Sequence, residues 1–233
     1  SVKTRLLLDA GRHFGAYVPI DISEDFLLAT AADLRERYPA LAIHPVVGDF
    51  TGPVALPAAI AELPKTVFFP GSTIGNLEPE DAIALLRRAR AWPEAGAFIL
   101  GADLVKDAAT LVSAYDDAAG VTAAFNRNLL VRLNREAGAD FDVETFAHEA
   151  RWLQDPARIE MHLVSTRAQT VALGDRTIAF EAGESIHTET CHKYTPASLR
   201  ALAADAGWAL RDMLTDPDGA FGVALLEAAD GSG

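Results

Sequence analysis

The feature that most constrains this chain is a rhythm in its first 105 residues. Short apolar runs, each closed by Asp, Gly or Pro, alternate with segments of helical length. The run at 16–20 ends in Asp21. Ser23 then reads as an N-cap with Glu24 and Asp25 in the first turn, and a helix is expected to about Tyr38, where Pro39 breaks it. The run at 43–47 ends in Gly48-Asp49-Phe50, and a short helix is expected near 57–63. The run at 66–69 turns at Pro70-Gly71. A strong helical stretch at 78–90 precedes the run at 97–102, which ends in Asp103. A helix over 3–10, stopped at Gly11, opens the series. Strand, helix, strand, helix, strand argues for an α/β fold: an open, mostly parallel sheet with helices on both faces. Ligands of such sheets bind beyond the carboxyl ends of the strands. Here those ends carry Asp21, Asp49-Phe50, Pro70-Gly71 and Asp103. Any one of them is an ordinary cap or turn; four along one sheet edge favour a nucleotide-type site.

The rhythm breaks after residue 105. Residues 107–135 have helical spacing but unusual polar residues, among them Tyr115, Asn126 and Asn128. A helix is expected over 143–153. Residues 158–167, 170–173 and 176–180 read as antiparallel strands, with Gly174-Asp175 as a hairpin turn. Residues 185–194 are polar and are expected to be irregular. Thr195-Pro196 starts a helix ended by Gly207, and 208–215 and 221–226 read as the last two strands. The expected organisation is residues 1–105 as the first part of a sheet domain, 106–195 as an insertion, and 196–233 as the return to the sheet.

Composition narrows the function. Half the chain is hydrophobic, enough for a sizeable core. Lys plus Arg number 20 against 33 Asp plus Glu, a net charge of −13. So acidic a surface repels phosphate backbones and anionic lipid, so no nucleic-acid or membrane partner is expected. The single cysteine, Cys191, excludes an internal disulfide and suits the cytoplasm. Six histidines occur, His13, His44, His148, His162, His187 and His192, and none forms His-Glu-x-x-His. His187 and His192, with Glu189 and Cys191 between them, match no standard zinc spacing, so no metal is expected. Cys191 beside His192 is a weak nucleophile–base pair, because neighbours on an extended segment point to opposite faces.

At the strand ends, Asp21 is placed to accept ribose hydroxyls, Asp49 to take a donor from adenine, and Phe50 to lie against the base. Lys3, near a helix start, suits a carboxylate or phosphate, although on spacing alone a solvated surface lysine is the commoner case. The loop after the run at 66–69, Pro70-Gly-Ser-Thr-Ile-Gly-Asn76, offers backbone N–H donors and close approach, but it is not a Walker loop.

Several longer motifs carry a resemblance. Phe-Pro-Gly-Ser-Thr-Ile-Gly-Asn (69–76), Gly-Ala-Asp-Leu-Val-Lys-Asp (101–107) and the run from Ala114 to Leu130 resemble the histidine Nα-methyltransferase family of ergothioneine biosynthesis. So do Arg-Ile-Glu-Met-His-Leu (158–163) and Gly-Glu-Ser-Ile-His-Thr-Glu-Thr-Cys-His-Lys-Tyr (183–194). The likeness runs from Lys3 to about Leu226. It implies a class I, Rossmann-like methyltransferase sheet with an inserted α+β substrate-binding domain. It also implies transfer of three methyl groups from S-adenosylmethionine to the α-amine of L-histidine, giving hercynine. By the same resemblance Lys3, Asp21, Asp49, Phe50 and Gly71 contact the cofactor. Gly71 and Asn76 hold the amino acid's carboxylate and amine, and Tyr115 covers the substrate and is the catalytic candidate. Phe125 forms an aromatic wall, Met161 lines the side-chain pocket, and Glu189 binds the imidazole. The family usually has serine where Cys191 stands, so substrate preference could differ. The family's glycine-rich first strand-loop is expected just before Ser1, with helices contributing a tyrosine before that. A front section is therefore expected to be missing, and the Gly231-Ser-Gly tail resembles the text expected there. The protein is expected to act as a monomer. The alternatives are an N-methyltransferase of the same fold acting on another amino acid or amine, or a non-catalytic ligand-binding module; a dinucleotide oxidoreductase is disfavoured by the motifs.

Overall fold

The computed structural model describes residues 2–11 and 13–229. Readings that rest on Ser1 and on the Gly231-Ser-Gly tail lie outside the described residues.

Helix α1 (Val2–Ala10) precedes two short strands, β1 (Ala16–Tyr17) and β2 (Ile20–Asp21). Helix α2 (Glu24–Arg37) follows, and then strands β3 (Ala42–Ile43) and β4 (Val46–Val47). Strand β1 pairs in parallel with β3, and β2 with β4. Asp21 Oδ1 accepts the Ser23 backbone N–H at 2.8 Å and so turns the chain into α2. Glu24 and Asp25 sit at that helix's start, and Arg35 and Arg37 at its end, matching the dipole at both ends.

The main sheet has four strands in the order β12 (Trp208–Thr215), β13 (Phe221–Ala228), β6 (Ala95–Asp103) and β5 (Lys65–Phe69). Strands β5 and β6 run parallel, while β13 runs antiparallel to both of its neighbours, so the sheet is mixed. Helices α3 (Pro79–Arg90) and α6 (Pro196–Asp205) cover it, burying Phe98, Leu100, Leu86, Leu199 and Trp208 in one core. The Trp208 indole N–H donates to the Leu86 carbonyl at 3.0 Å, which satisfies the one polar atom this large side chain takes inside. The expected start of α6 holds: Thr195 and Ser198 form a reciprocal capping box, with Pro196 in the first turn.

Between β6 and α6 lies the remaining sheet, β7 (Phe146–Leu153), β8 (Arg158–Ser165) and β11 (Ser185–His192), antiparallel in the order β11-β8-β7. The expected hairpin is β9 (Gln169–Leu173) with β10 (Arg176–Phe180). Two readings are corrected here. The 143–153 segment is not helical beyond a single 3-10 turn at Val143–Thr145; from Phe146 it alternates, with Phe146, His148, Ala150 and Trp152 on one face, and pairs along its whole length with β8. Residues 185–192 are a strand rather than irregular chain, and their alternation is masked by a bulge between His187 and Glu189. The long helical stretch also divides. Helix α4 (Ala108–Tyr115) and α5 (Val121–Ala137) are separated by a turn in which the Asp117 carboxylate accepts the Val121 and Thr122 N–H groups. Both helices pack on β7 and β8. Under α5, Leu130 and Leu163 join Phe141, Phe146 and Phe180, with Phe146 edge-on to both other rings, while Leu111 of α4 packs with Ala150 and Ile159.

Candidate functional site

Two clefts and one polar pocket lie at the expected sheet edge. The larger cleft, about 1010 Å³, opens between β1–β2 and β5, and Asp21, Phe50, Phe69 and Pro70 are among the residues lining it. Phe50 meets Phe69 edge-on at 5.3 Å and stays 36% exposed, so its ring presents an open face to the cleft. The Asp49 carboxylate accepts from both the N–H and the hydroxyl of Thr51, which holds its pKa below the usual range. The smaller cleft, about 240 Å³, is lined by Lys3, Gly71, Gly101 and Phe221. Gly71 has φ +82°, and a Cβ there would come 3.3 Å from Lys3 Nζ. A side chain at Gly71 would be strained and would fill the approach to the lysine. The carboxylates, the open aromatic face and the unfilled glycine turn suit a nucleoside joined to an amino-acid tail.

The polar pocket is built from the turn Thr73–Asn76, the end of α4 and one face of β8 and β11. On the paired strands Glu189 stands across from Met161, and Cys191 across from Ile159, so all four share the face on which α4 packs. Gly75 presses the turn onto β11: a Cβ there would lie 2.6 Å from the His192 carbonyl oxygen and 3.1 Å from Cys191 Sγ. The Tyr194 hydroxyl donates to the Ile74 carbonyl at 3.3 Å, and the Asp103 N–H to Ser72 Oγ at 2.8 Å, fixing the turn from both sides. Asn76 follows Gly75 and is exposed.

Sequence reasoning missed the centre of this pocket, Lys193. Its side chain is wholly buried, and Nζ donates to Tyr115 Oη at 2.7 Å, Asp103 Oδ2 at 2.8 Å and Cys191 Sγ at 3.3 Å. The ammonium also lies 4.5 Å from the Tyr115 ring centroid. Burial disfavours its charge, but Cys191, Asp103 and Tyr115 outweigh that and leave its pKa raised. Burial would raise the Asp103 pKa, but hydrogen bonds from Lys106 and Lys193 bring it below the ordinary value. Asp103, expected to face the cofactor edge, is thus turned into an ion-paired support for the pocket. No local signal marked it, because Lys193 lies in a polar stretch where a solvated lysine is the ordinary case. Burial, reinforced by Cys191, pushes Tyr115 up to about 12, so its phenol is neutral at neutral pH. His148 Nε2 lies 2.7 Å from the Tyr115 carbonyl oxygen, and His148 Nδ1 lies 2.9 Å from Asn126 Nδ2; together they anchor the end of α4. Burial raises the pKa of Glu189, an effect that the Lys193 charge only partly offsets.

The other expected residues lie apart. Phe125 is on α5 and 64% exposed. Cys191 and His192 alternate across β11 and point to opposite faces, which removes the nucleophile–base pairing. Among the described residues one metal-capable group occurs, Glu160, His162 and His187. It escaped the sequence because its members come from two strands.

Fold and family agree on the class of protein. The structure titled as that of LepI in complex with SAM matches with a TM-score of 0.50 at 14% identity, covering 98% of this chain and 40% of that one. Together with the family match, it makes the fold that of the class I S-adenosylmethionine-dependent methyltransferases. Residues 1–228 match the family described as histidine-specific methyltransferase, SAM-dependent, and the chain belongs to that family. A histidine N-alpha-methyltransferase of Mycobacterium tuberculosis is 43% identical over 235 residues, covering 97% of this chain and 71% of the relative. Its counterpart from Mycolicibacterium smegmatis is 42% identical over 231 residues, with the same coverage. Among the described residues no helix is long and apolar enough to cross a membrane.

Proposed function

We propose that the chain trimethylates the α-amine of L-histidine to hercynine, the first step of ergothioneine biosynthesis, and that residues 106–195 supply the substrate-binding unit. The observation that carries this reading is the half-buried Glu189 carboxylate, set across from Met161 and beside the Lys193–Tyr115–Cys191 cluster. A carboxylate in an apolar-walled pocket accepts an imidazole N–H as a charge-assisted hydrogen bond and rejects apolar side chains. Asp21, Asp49, Phe50, Lys3 and Gly71 would hold S-adenosylmethionine, which supplies an electrophilic methyl group when bound. Gly71 and Asn76 would hold the amino acid's carboxylate and amine.

Methyl transfer to nitrogen is an in-line displacement, so the chain's contribution is positioning and exclusion of water. Tyr115, neutral and pinned by Lys193, accepts an N–H of the substrate amine and orients its lone pair. Lys193 keeps the phenol in place, and Asp103 keeps Lys193 charged. The thiol of Cys191 sits where a hydroxyl would otherwise support the imidazole. The acidic surface and lone cysteine suit a monomer in the cytoplasm.

The test is mass spectrometry of a reaction holding this chain, S-adenosylmethionine and L-histidine, with a panel of other amino acids alongside. A product carrying three additional methyl groups on histidine is expected. Turnover with another amino acid but none with histidine would overturn the substrate assignment, and no turnover at all would favour a binding module.

A further inference from the structure

The face of the three-stranded sheet that points away from Glu189 and Met161 carries a separate constellation. Glu160 and His162 are two residues apart on β8 and therefore share this face, and His187 stands across from His162 on β11. Glu160 and His162 are buried, and His187 is exposed. The two imidazoles lie stacked with centroids 5.0 Å apart and 19° between their planes. His162 Nε2 is 3.0 Å from Glu160 Oε2. One ligand atom from each of the three side chains lies within 4.8 Å of the other two. Both buried members are braced from outside. The Arg158 guanidinium donates to Glu160 Oε1, leaving Oε2 turned to the histidine, and Ser185 Oγ lies 3.2 Å from His162 Nδ1. Outer partners of this kind fix a ligand's orientation and tautomer.

We propose that Glu160, His162 and His187 bind a divalent transition-metal ion of the zinc class. Two residues apart on one strand plus one directly across on the next bring three side chains to a common point without any loop. Two imidazole nitrogens and one carboxylate oxygen suit such an ion better than calcium or magnesium, which take all-oxygen sets. The ion takes the place of the proton between His162 Nε2 and Glu160 Oε2, and the neutral ring then carries its proton on Nδ1, where Ser185 Oγ accepts it. Ligand bonds of about 2.0–2.2 Å draw the three atoms closer together; the exposed His187 ring, whose Nε2 lies 3.0 Å from the Glu189 carbonyl oxygen and 3.0 Å from Thr190 Oγ1, exchanges contacts there for the ion. Nearby charges balance: Arg158 is engaged by Glu160, and Arg151 by Glu149 at 3.0 Å. The site lies on the opposite face from the methyl-transfer pocket and stands independently of the function proposed above.

Calorimetric titration of the full chain with Zn2+ alone tests this, with thermal melts to verify that each variant folds. One saturable equivalent is expected. His187→Ala removes an exposed side chain together with its contacts to the Glu189 carbonyl and Thr190 hydroxyl, and is expected to weaken binding by at least about tenfold, and Ser185→Ala by roughly tenfold. Cys191→Ser is expected to bind as the parent does. Absence of saturable binding, full binding by His187→Ala, or loss of binding in Cys191→Ser would overturn the site.

Discussion

Glu189 is where the demands of fold and function part company. Burial raises its pKa, which means that the folded chain favours the protonated form. Its contribution to stability is therefore fully present below its unfolded pKa and lost as pH rises through the folded value. At neutral pH the ionised carboxylate works against folding, whereas the proposed imidazole contact needs it ionised. Glu189→Gln is expected to melt at or above the parent temperature at pH 7. The same change is expected to weaken histidine binding by about 1.5–3 kcal/mol, the worth of a hydrogen bond to a charged group. In the parent, histidine affinity is expected to decline with falling pH from a point above the ordinary glutamate value. Calorimetry at several pH values and thermal melts read both effects; an unchanged affinity in the variant would remove Glu189 from the substrate site.

At the scale of elements, β11 carries most of what was hidden. Its polar alternation, Ser185, His187, Thr190 and His192 on one face and Glu189 and Cys191 on the other, reads as irregular because neither face is apolar and a bulge shifts the period. Strand β7 was mistaken for a helix because its apolar residues satisfy either period over so short a span; pairing with β8 decides between them. The capped helix α6, the start of α2 with its acidic first turn, and the hairpin β9–β10 were legible because their turn and end residues act locally, although Ser23 makes no side-chain cap hydrogen bond. Contacts across elements were not legible, and a close one lies between the Thr73–Asn76 turn and β11. Gly75→Ala places a methyl against the His192 carbonyl and Cys191 and must push turn and strand apart. A loss of about 1–3 kcal/mol in stability is expected from such overpacking. A larger loss is expected in kcat/KM for histidine, because Asn76 moves with the turn. Gly96→Ala, with open space around the site, is the matched control; equal activities in the two variants would detach the turn from the substrate site.

Across the whole molecule, the strand-end rule anticipated that Asp21, Phe50 and Gly71 would stand beside clefts, since it depends only on strand order and direction. Asp103 stands at the same kind of strand end, but its carboxylate is engaged by Lys106 and by a lysine ninety residues further on. The same view exposes a division that shapes the response to ligand. The small core of Leu8, Ala31, Leu34 and Ile43 under β1–β4 is separate from the main-sheet core, and the larger cleft lies between the strands of the two. A ligand spanning that cleft meets Asp21 and Phe50 on one side and Phe69 and Pro70 on the other, so it bridges the two parts. S-adenosylhomocysteine at a hundred times its Kd stabilises a protein that it binds only when folded by about 2.7 kcal/mol. Here that gain is expected to fall unevenly, because local opening of the smaller core needs less free energy than global unfolding. Hydrogen exchange is expected to slow most over residues 16–21, 46–50 and 68–73, and least over β7–β10. Protection confined to the three-stranded sheet would move the cofactor site to the other end of the molecule.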